Sequence, residues 1–245
     1  HRDIVSSEGV TFTAKGPPEE QDKEFLASTH RWFRPANLTV GPDGNLYVVD
    51  ICREFIETPA SIPEPIKKGK NFFSGTDLGR IYRIVPKDHP SGSMTWPALH
   101  QAETSKLVEN LSHPNQWWRL TSQRLLLERQ DPSALPLLKE MVVRRASPLA
   151  RLHALYALEG ASALDASLIS LALKDSEAGV REHAIILAED FPELLPKLTA
   201  LVKDPSPRVL FQLALSLGKF RGAQVQQAFR RLVEQNGEDK WQRTA

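Results

Sequence analysis

One cysteine, Cys52, stands among 245 residues. A disulfide within the chain is therefore impossible, and a thiolate metal cluster is excluded. Long apolar runs are lacking too: none approaches the eighteen or so residues that a membrane span needs. An excess of one charge sign is absent. Lys+Arg number 31 and Asp+Glu 30. Residues 1–100 carry 12 basic against 13 acidic side chains, and residues 101–245 carry 19 against 17. With no basic stripe, nucleic acid is not an expected partner. No Walker loop, GxGxxG or HExxH occurs, which removes the usual signals of nucleotide-dependent and zincin-type chemistry. The first residue is His1 rather than Met, and no signal peptide follows. Hydrophobic residues at 41% and charged residues at 25% leave an ordinary globular composition.

What is present is a repeat. One pattern begins at Trp118, Ala150, Val180 and Val209, and starts again at Trp241, at intervals of 32, 30, 29 and 32 residues. A period near thirty filled with helical segments marks an α-solenoid. Four residues after each anchor stand Ser122, Ala154, Ala184 and Leu213; eight after stand Leu126, Leu158, Ala188 and Leu217. Spacings of four and eight place all three on one helical face. Second helices are expected at about 133–144, 163–173, 193–203 and 223–234. Asp131-Pro132, Ser147-Pro148 and Ser206-Pro207 each offer an N-cap oxygen followed by proline. Gly160 and Gly218 fall where a helix would end. The turns KDSEAGVRE and KDPSPRVL resemble those of HEAT repeats, in which Asp caps and Arg bridges to the next repeat. An incomplete fifth repeat implies a cut after Ala245. His153 and His183 share one repeat position, read as a polar helix flank. Trp117-Trp118 read as the seal of the first layer.

Residues 1–85 read differently. GVTFTAKG alternates as a strand does. Leu38–Val40 and Asn45–Asp50 are two short β runs joined by Gly41-Pro42-Asp43-Gly44, a tight-turn sequence. Gly79–Val85 is a further strand, with Ile81 and Tyr82 on opposite faces. Three or four strands suit about one blade of a β-propeller. Residues 57–77 form a long excursion with a Lys67-Lys68-Gly69-Lys70 run. The expected fold class is α+β in two parts: an antiparallel β segment of about one blade (1–85), a linker (86–104), and an all-α HEAT-repeat solenoid (105–245).

The segments FLASTHRWFRPANLTVGPDGNLYVVDICREFIETP, DLGRIYRIVP, SHPNQWWRLTSQRLLLER and LARLHALYALEG together resemble one family, the bacterial PVC-type haem-binding CxxCH proteins, also called membrane-bound dehydrogenases. The resemblance implies a sugar-dehydrogenase-like propeller, then HEAT repeats, then a c-type cytochrome domain. This chain would be an internal piece, holding the last blade and the first repeats. It implies a periplasmic or secreted setting, with c-type haem and a quinone as cofactors of the parent protein. Two departures stand out. No CxxCH occurs, so no haem attaches to this piece. Where relatives read YREVIEHP, this chain has Cys52 and Thr58 in place of the Tyr and His.

Alcohol oxidation by a quinone needs a base and cationic groups for the anionic cofactor. His30, Arg34, Asp50 and Arg53 are the candidates. Asp50 and Arg53 follow a strand and equally suit a structural ion pair; His30 and Arg34 flank Trp32 and Phe33 and equally suit an aromatic anchor. Asp43 reads as a turn former rather than a metal ligand, and no metal site is expected. Cys52 reads as a buried apolar residue. The expected function is thus part of a quinone- and haem-linked dehydrogenase, with the parent's remaining propeller and cytochrome domains as partners and a protein partner on the concave HEAT face. The alternatives are a non-catalytic HEAT scaffold and a metal-dependent propeller lactonase.

Overall fold

The computed structural model describes residues 1–88, 97–144, 147–236, 240, 241 and 244. Antiparallel sheets come first and helices follow. β1 (Ile4–Glu8) and β2 (Thr11–Lys15) form a hairpin. β2 is the strand anticipated in GVTFTAKG; its partner β1 carries Ile4 beside Val5 and so lacks an alternating signature. A three-stranded sheet follows in the order β3 (Pro35–Val40), β4 (Leu46–Asp50), β5 (Arg80–Ile84). Both pairs are antiparallel, with Leu38 opposite Val48 and Val48 opposite Tyr82. The β3–β4 turn closes through the Gly44 amide donating to the Gly41 carbonyl at 3.0 Å. Gly44 has φ +79°, which favours a residue without Cβ. The excursion between β4 and β5 holds one short helix, α1 (Glu64–Lys67).

The helical part comprises α2 (Thr104–Asn110), α3 (Gln116–Arg129), α4 (Ala134–Val143), α5 (Pro148–Gly160), α6 (Ala166–Ala172), α7 (Ala178–Leu187), α8 (Leu195–Ala200), α9 (Pro207–Leu217) and α10 (Ala223–Asn236). The anchor register explains its core. Ala150, Val180 and Val209 are buried, as are all four residues at the next anchor position and all four at the third. Trp118 is the exception, half-buried with its ring stacked on His113 at 5.0 Å. The second helices supply Leu138, Ile169 and Leu198 to the same core. No repeat buries its apolar face alone, so neighbouring repeats share one core.

The helix ends differ in detail from the expected punctuation. Ser147 caps α5, its Oγ accepting from the Ala150 amide at 3.3 Å. Ser206 stands at the N-cap of α9 without using its side chain; Asp204 instead accepts from the Ser206 amide at 2.9 Å. At α4 the N-cap is Ser133, and Asp131 accepts from the Ser133 amide at 2.9 Å. In both cases the aspartate closes an Asx turn onto the amide of the serine itself, one turn ahead of the helix. Gly160 is the last residue of α5, and a Cβ there would meet Leu127 Cδ2 of α3 at 2.8 Å, so Leu127 would have to shift. Gly218 caps α9 in ordinary helical conformation, φ −59°. The helix expected at 193–203 is broken into two 3₁₀ turns around α8, with Pro196 in the first turn of α8, where a missing amide costs little. Of the fifth repeat, Trp241 is described; residues 237–239, 242, 243 and 245 lie outside the described set. Residues 89–96 of the expected linker also lie outside it.

By proximity the chain forms two compact units. One holds His1–Arg2, Pro18–Ala98 and Asn115–Trp117; the other holds Asp3–Pro17, Leu99–Pro114 and Trp118–Ala245. The three-stranded sheet belongs to the first. The β1–β2 hairpin belongs with the helices.

Candidate functional site

In the sheet unit, polar side chains converge at the end of β4. Asp50 is 1% exposed. Its Oδ1 accepts from the amides of Arg34 and Cys52, each at 2.8 Å. Its Oδ2 has no hydrogen bond, and the Arg80 Nε lies 3.9 Å away. The antiparallel register puts Asp50 opposite Arg80, which brings the two together. Cys52 follows in left-handed conformation, φ +47°, with its thiol fully buried. Arg80 Nη2 donates to its Sγ at 3.2 Å, and His30 Nδ1 stands 3.8 Å from the same sulfur. Gly75 packs against the Cys52 carbonyl, where a Cβ would come within 2.1 Å. The Tyr82 hydroxyl, accepting from Arg80, is the largest influence in raising the guanidinium's pKa; contact with Cys52 adds to it.

Three of the four sequence candidates meet here. Arg34 does so through its backbone amide; its guanidinium binds the carbonyls of Arg31, Phe33 and Glu54. His30 reaches the thiol and sits edge-on to Trp32 at 6.0 Å, in an open depression lined by Thr29, His30, Arg31 and Trp32. Arg53 makes no hydrogen bond or ion pair among the described residues; the partner of Asp50 is Arg80. Arg80 was absent from the candidates. It reaches Asp50 through the β4–β5 register, which no local pattern in the sequence fixes. A base must come within about 2.6–3.2 Å, heavy atom to heavy atom, of the group whose proton it takes. Both oxygens of Asp50 are enclosed, so its present geometry serves to close the strand end.

At the other end of the sheet, Asp43 exceeds the role of turn former. It accepts from the amide and side chain of Asn45, the Tyr47 hydroxyl and Arg83 Nε, the last at 2.6 Å. Burial pushes its pKa up, but the Asn45 and Arg83 donors together hold it at about 2. Asn115 covers the same turn, donating to the Gly41 and Pro42 carbonyls at 2.9 and 3.2 Å. Among the described residues no group of three His, Cys, Asp or Glu side chains is placed to hold a metal ion. No described helix is long and apolar enough to cross a membrane.

The helical unit carries two inter-repeat ladders. On one flank Arg151 meets Asp175 at 2.6 Å, and Arg181 binds both oxygens of Asp204 at 2.7 and 2.8 Å. Arg181 also donates to the Asp175 and Ser176 carbonyls; Arg119 binds the His113 and Pro114 carbonyls in the equivalent place. On the other flank His153 bridges to Gln123 at 2.6 Å and Arg119 at 3.3 Å, while His183 meets the Tyr156 hydroxyl at 2.8 Å. The repeated histidines are joints between repeats. Opposite the buried face, Leu120, Leu149 and Leu215 are 48%, 49% and 45% exposed. Relative to their anchors they stand at +2, −1 and +6, which is one side of the helix.

Residues 1–88 match the family model described as a domain of unknown function, DUF7133. Residues 164–245 match HEAT repeats. The chain thus carries a DUF7133 match over its first part and a HEAT-repeat match over its last. No curated protein and no solved structure matches it. The DUF7133 match takes in the β1–β2 hairpin, which in space belongs with the helices.

Proposed function

We propose that this chain is an interaction scaffold, with the outer face of α3, α5, α7 and α9 as its protein-binding surface. The observation that carries this is the strip of half-exposed leucines, Leu120, Leu149 and Leu215, on a rack held rigid by inter-repeat bonds. Rigid presentation reduces the entropy lost on binding, and apolar side chains that recur on one exposed helix side mark an interaction site. The test is a paired substitution, Leu120→Glu with Leu215→Glu. These side chains are outside the core, so the melting transition holds while co-purification of a native partner is lost. An unchanged partner set speaks against the surface.

A finer reading concerns the parent protein. The sheet serves as one blade of a propeller, in a dehydrogenase that passes electrons from a sugar or alcohol to c-type haem, within the periplasm or cell envelope. In that reading His30, Arg34, Asp50 and Arg53 mark the end of the sheet nearest the cofactor, Asp50 and Arg34 holding that end in shape, and the solenoid braces or docks the neighbouring domains. The support is the exposed edge of the sheet. All six residues of β3 are exposed, including Leu38 and Val40 on the face that buries Val48, as on a blade awaiting a neighbour. An absorbance spectrum of the parent protein, oxidised and then reduced with dithionite, decides it. A c-type haem α-band supports the redox reading, and a featureless spectrum from correctly matured protein leaves the scaffold alone.

A further inference from the structure

The β1–β2 hairpin has no core of its own. Its ten strand residues are exposed or half-exposed, and a lone two-stranded hairpin is marginal in water. Its flanks are tied within the sheet unit, the His1 amino group to Glu24 and Arg2 to Glu20, each at 2.6 Å. Asp3–Pro17 nevertheless groups with the helices. There the guanidinium carbon of Arg208 lies 4.7 Å from the centre of the Phe12 ring. Arg208 is itself held across the α7–α9 joint by Glu182 at 3.0 Å. It also opens the outer face of α9, since Phe211 and Leu215 follow on the same side of that helix.

We infer that the Glu182–Arg208 pair is a docking point for an aromatic side chain presented on an extended strand, and that the β1–β2 hairpin fills it as a reversible internal strap. The inference rests on the scaffold reading for its consequence, because the strap then covers the α7–α9 end of the partner surface. Glu182 fixes the guanidinium in place, and the exposed plane of Arg208 receives the ring. A cation–π contact at so open a site shifts an equilibrium only about two- to five-fold. The hairpin therefore yields to a partner strand that offers Phe, Tyr or Trp together with apolar contacts to Phe211 and Leu215.

Amide exchange of residues 4–15 in the full chain tests the strap. Arg208→Ala changes no residue of the hairpin, yet it raises hairpin exchange about two- to five-fold. Phe12→Ala does the same, and the double variant exchanges no faster than either single one. Hairpin exchange unchanged in Arg208→Ala overturns the strap, as does a double variant that exchanges faster than both single ones. Either result leaves the leucine-strip experiment standing, so the strap and the scaffold surface fail separately.

Discussion

The sheet unit and the helical unit solve the problem of folding with different materials. Among the described residues the sheet unit buries two apolar side chains completely, Val48 and Cys52, and relies on buried carboxylates at both ends of its sheet. The helical unit buries a leucine, isoleucine, valine or alanine at nearly every anchor position. One is held by hydrophobic area with polar ladders at its flanks. The other is held by polar knots, with apolar surface left over on β3. The difference teaches where each unit is vulnerable.

Truncation of the repeat core has the largest expected effect. Leu155 and Leu213 are fully buried, and Leu→Ala at such sites costs about 2–5 kcal/mol. Leu38→Ala on β3, where the side chain is 61% exposed, stays within about 0.5 kcal/mol. Urea denaturation of the three variants measures the contrast. Equal losses at Leu38 and Leu213 erase the distinction between the units.

The ion pairs come next. Arg181 and Asp204 are 12% and 4% exposed. Arg181→Ala leaves Asp204 enclosed without its bidentate partner, at a cost of about 3 kcal/mol. Arg83 in the sheet unit is 37% exposed, and its partner Asp43 keeps the Asn45 and Tyr47 donors. Arg83→Ala is therefore expected to cost about 1 kcal/mol or less. A larger loss at Arg83 than at Arg181, read by the same denaturation, reverses the ranking.

The same contrast governs what the amino-acid sequence reveals. The repeat was legible because core burial forces recurrence: a helix that stacks on its neighbour needs a small or apolar residue at Ala154 and again at Ala184. Bridging by Arg and Asp was expected in kind, from the likeness of KDSEAGVRE and KDPSPRVL to HEAT turns, while the pairs Arg151–Asp175 and Arg181–Asp204 come from the stacking of the repeats. The β4 cluster was legible only in part. Asp50 and His30 stand out by type, but Arg80 joins Cys52 across 28 residues through strand register, which no local pattern encodes. The strap was illegible, because Phe12 meets Arg208 through tertiary placement alone. The broken helix around Pro196 shows a local rule, proline at a first turn, reshaping what the apolar pattern read as one continuous helix.

The Asp50 knot calls for two substitutions. Asp50→Ala removes the acceptor of two amides, and buried donors left unpaired cost about 1–3 kcal/mol. Asp50→Asn keeps an acceptor at Oδ1 and loses the charge beside Arg80, so it costs less. Faster exchange of the Arg34 and Cys52 amides in Asp50→Ala, with near-normal exchange in Asp50→Asn, is the expected pair of results. Equal exchange in both variants means that the charge, rather than the acceptor, closes the strand end.

Acid separates the two units most finely. Burial lowers the pKa of His153 below its ordinary 6.5, and the charge of Arg119 beside Nε2 lowers it further. With Nδ1 donating to Gln123 and Nε2 accepting from Arg119, a proton added at Nε2 sets two donors against each other. The unfolded chain thus takes up the proton more readily than the folded one. The stability that His153 contributes is complete above pH 6.5 and is lost as pH falls through the lowered folded value. Asp43 titrates at about 2 against an ordinary 3.8. Its contribution is complete above pH 3.8 and is lost as pH falls through about 2. Mild acid therefore loosens the α3–α5 joint while the β3–β4 turn stays closed. Exchange at pH 5 against pH 7.5, corrected for intrinsic rates, reads this as faster opening around His153 with the Gly44 and Asn45 amides unchanged. His153→Gln keeps a polar bridge that does not titrate in this range, and in that variant the joint should lose its pH dependence.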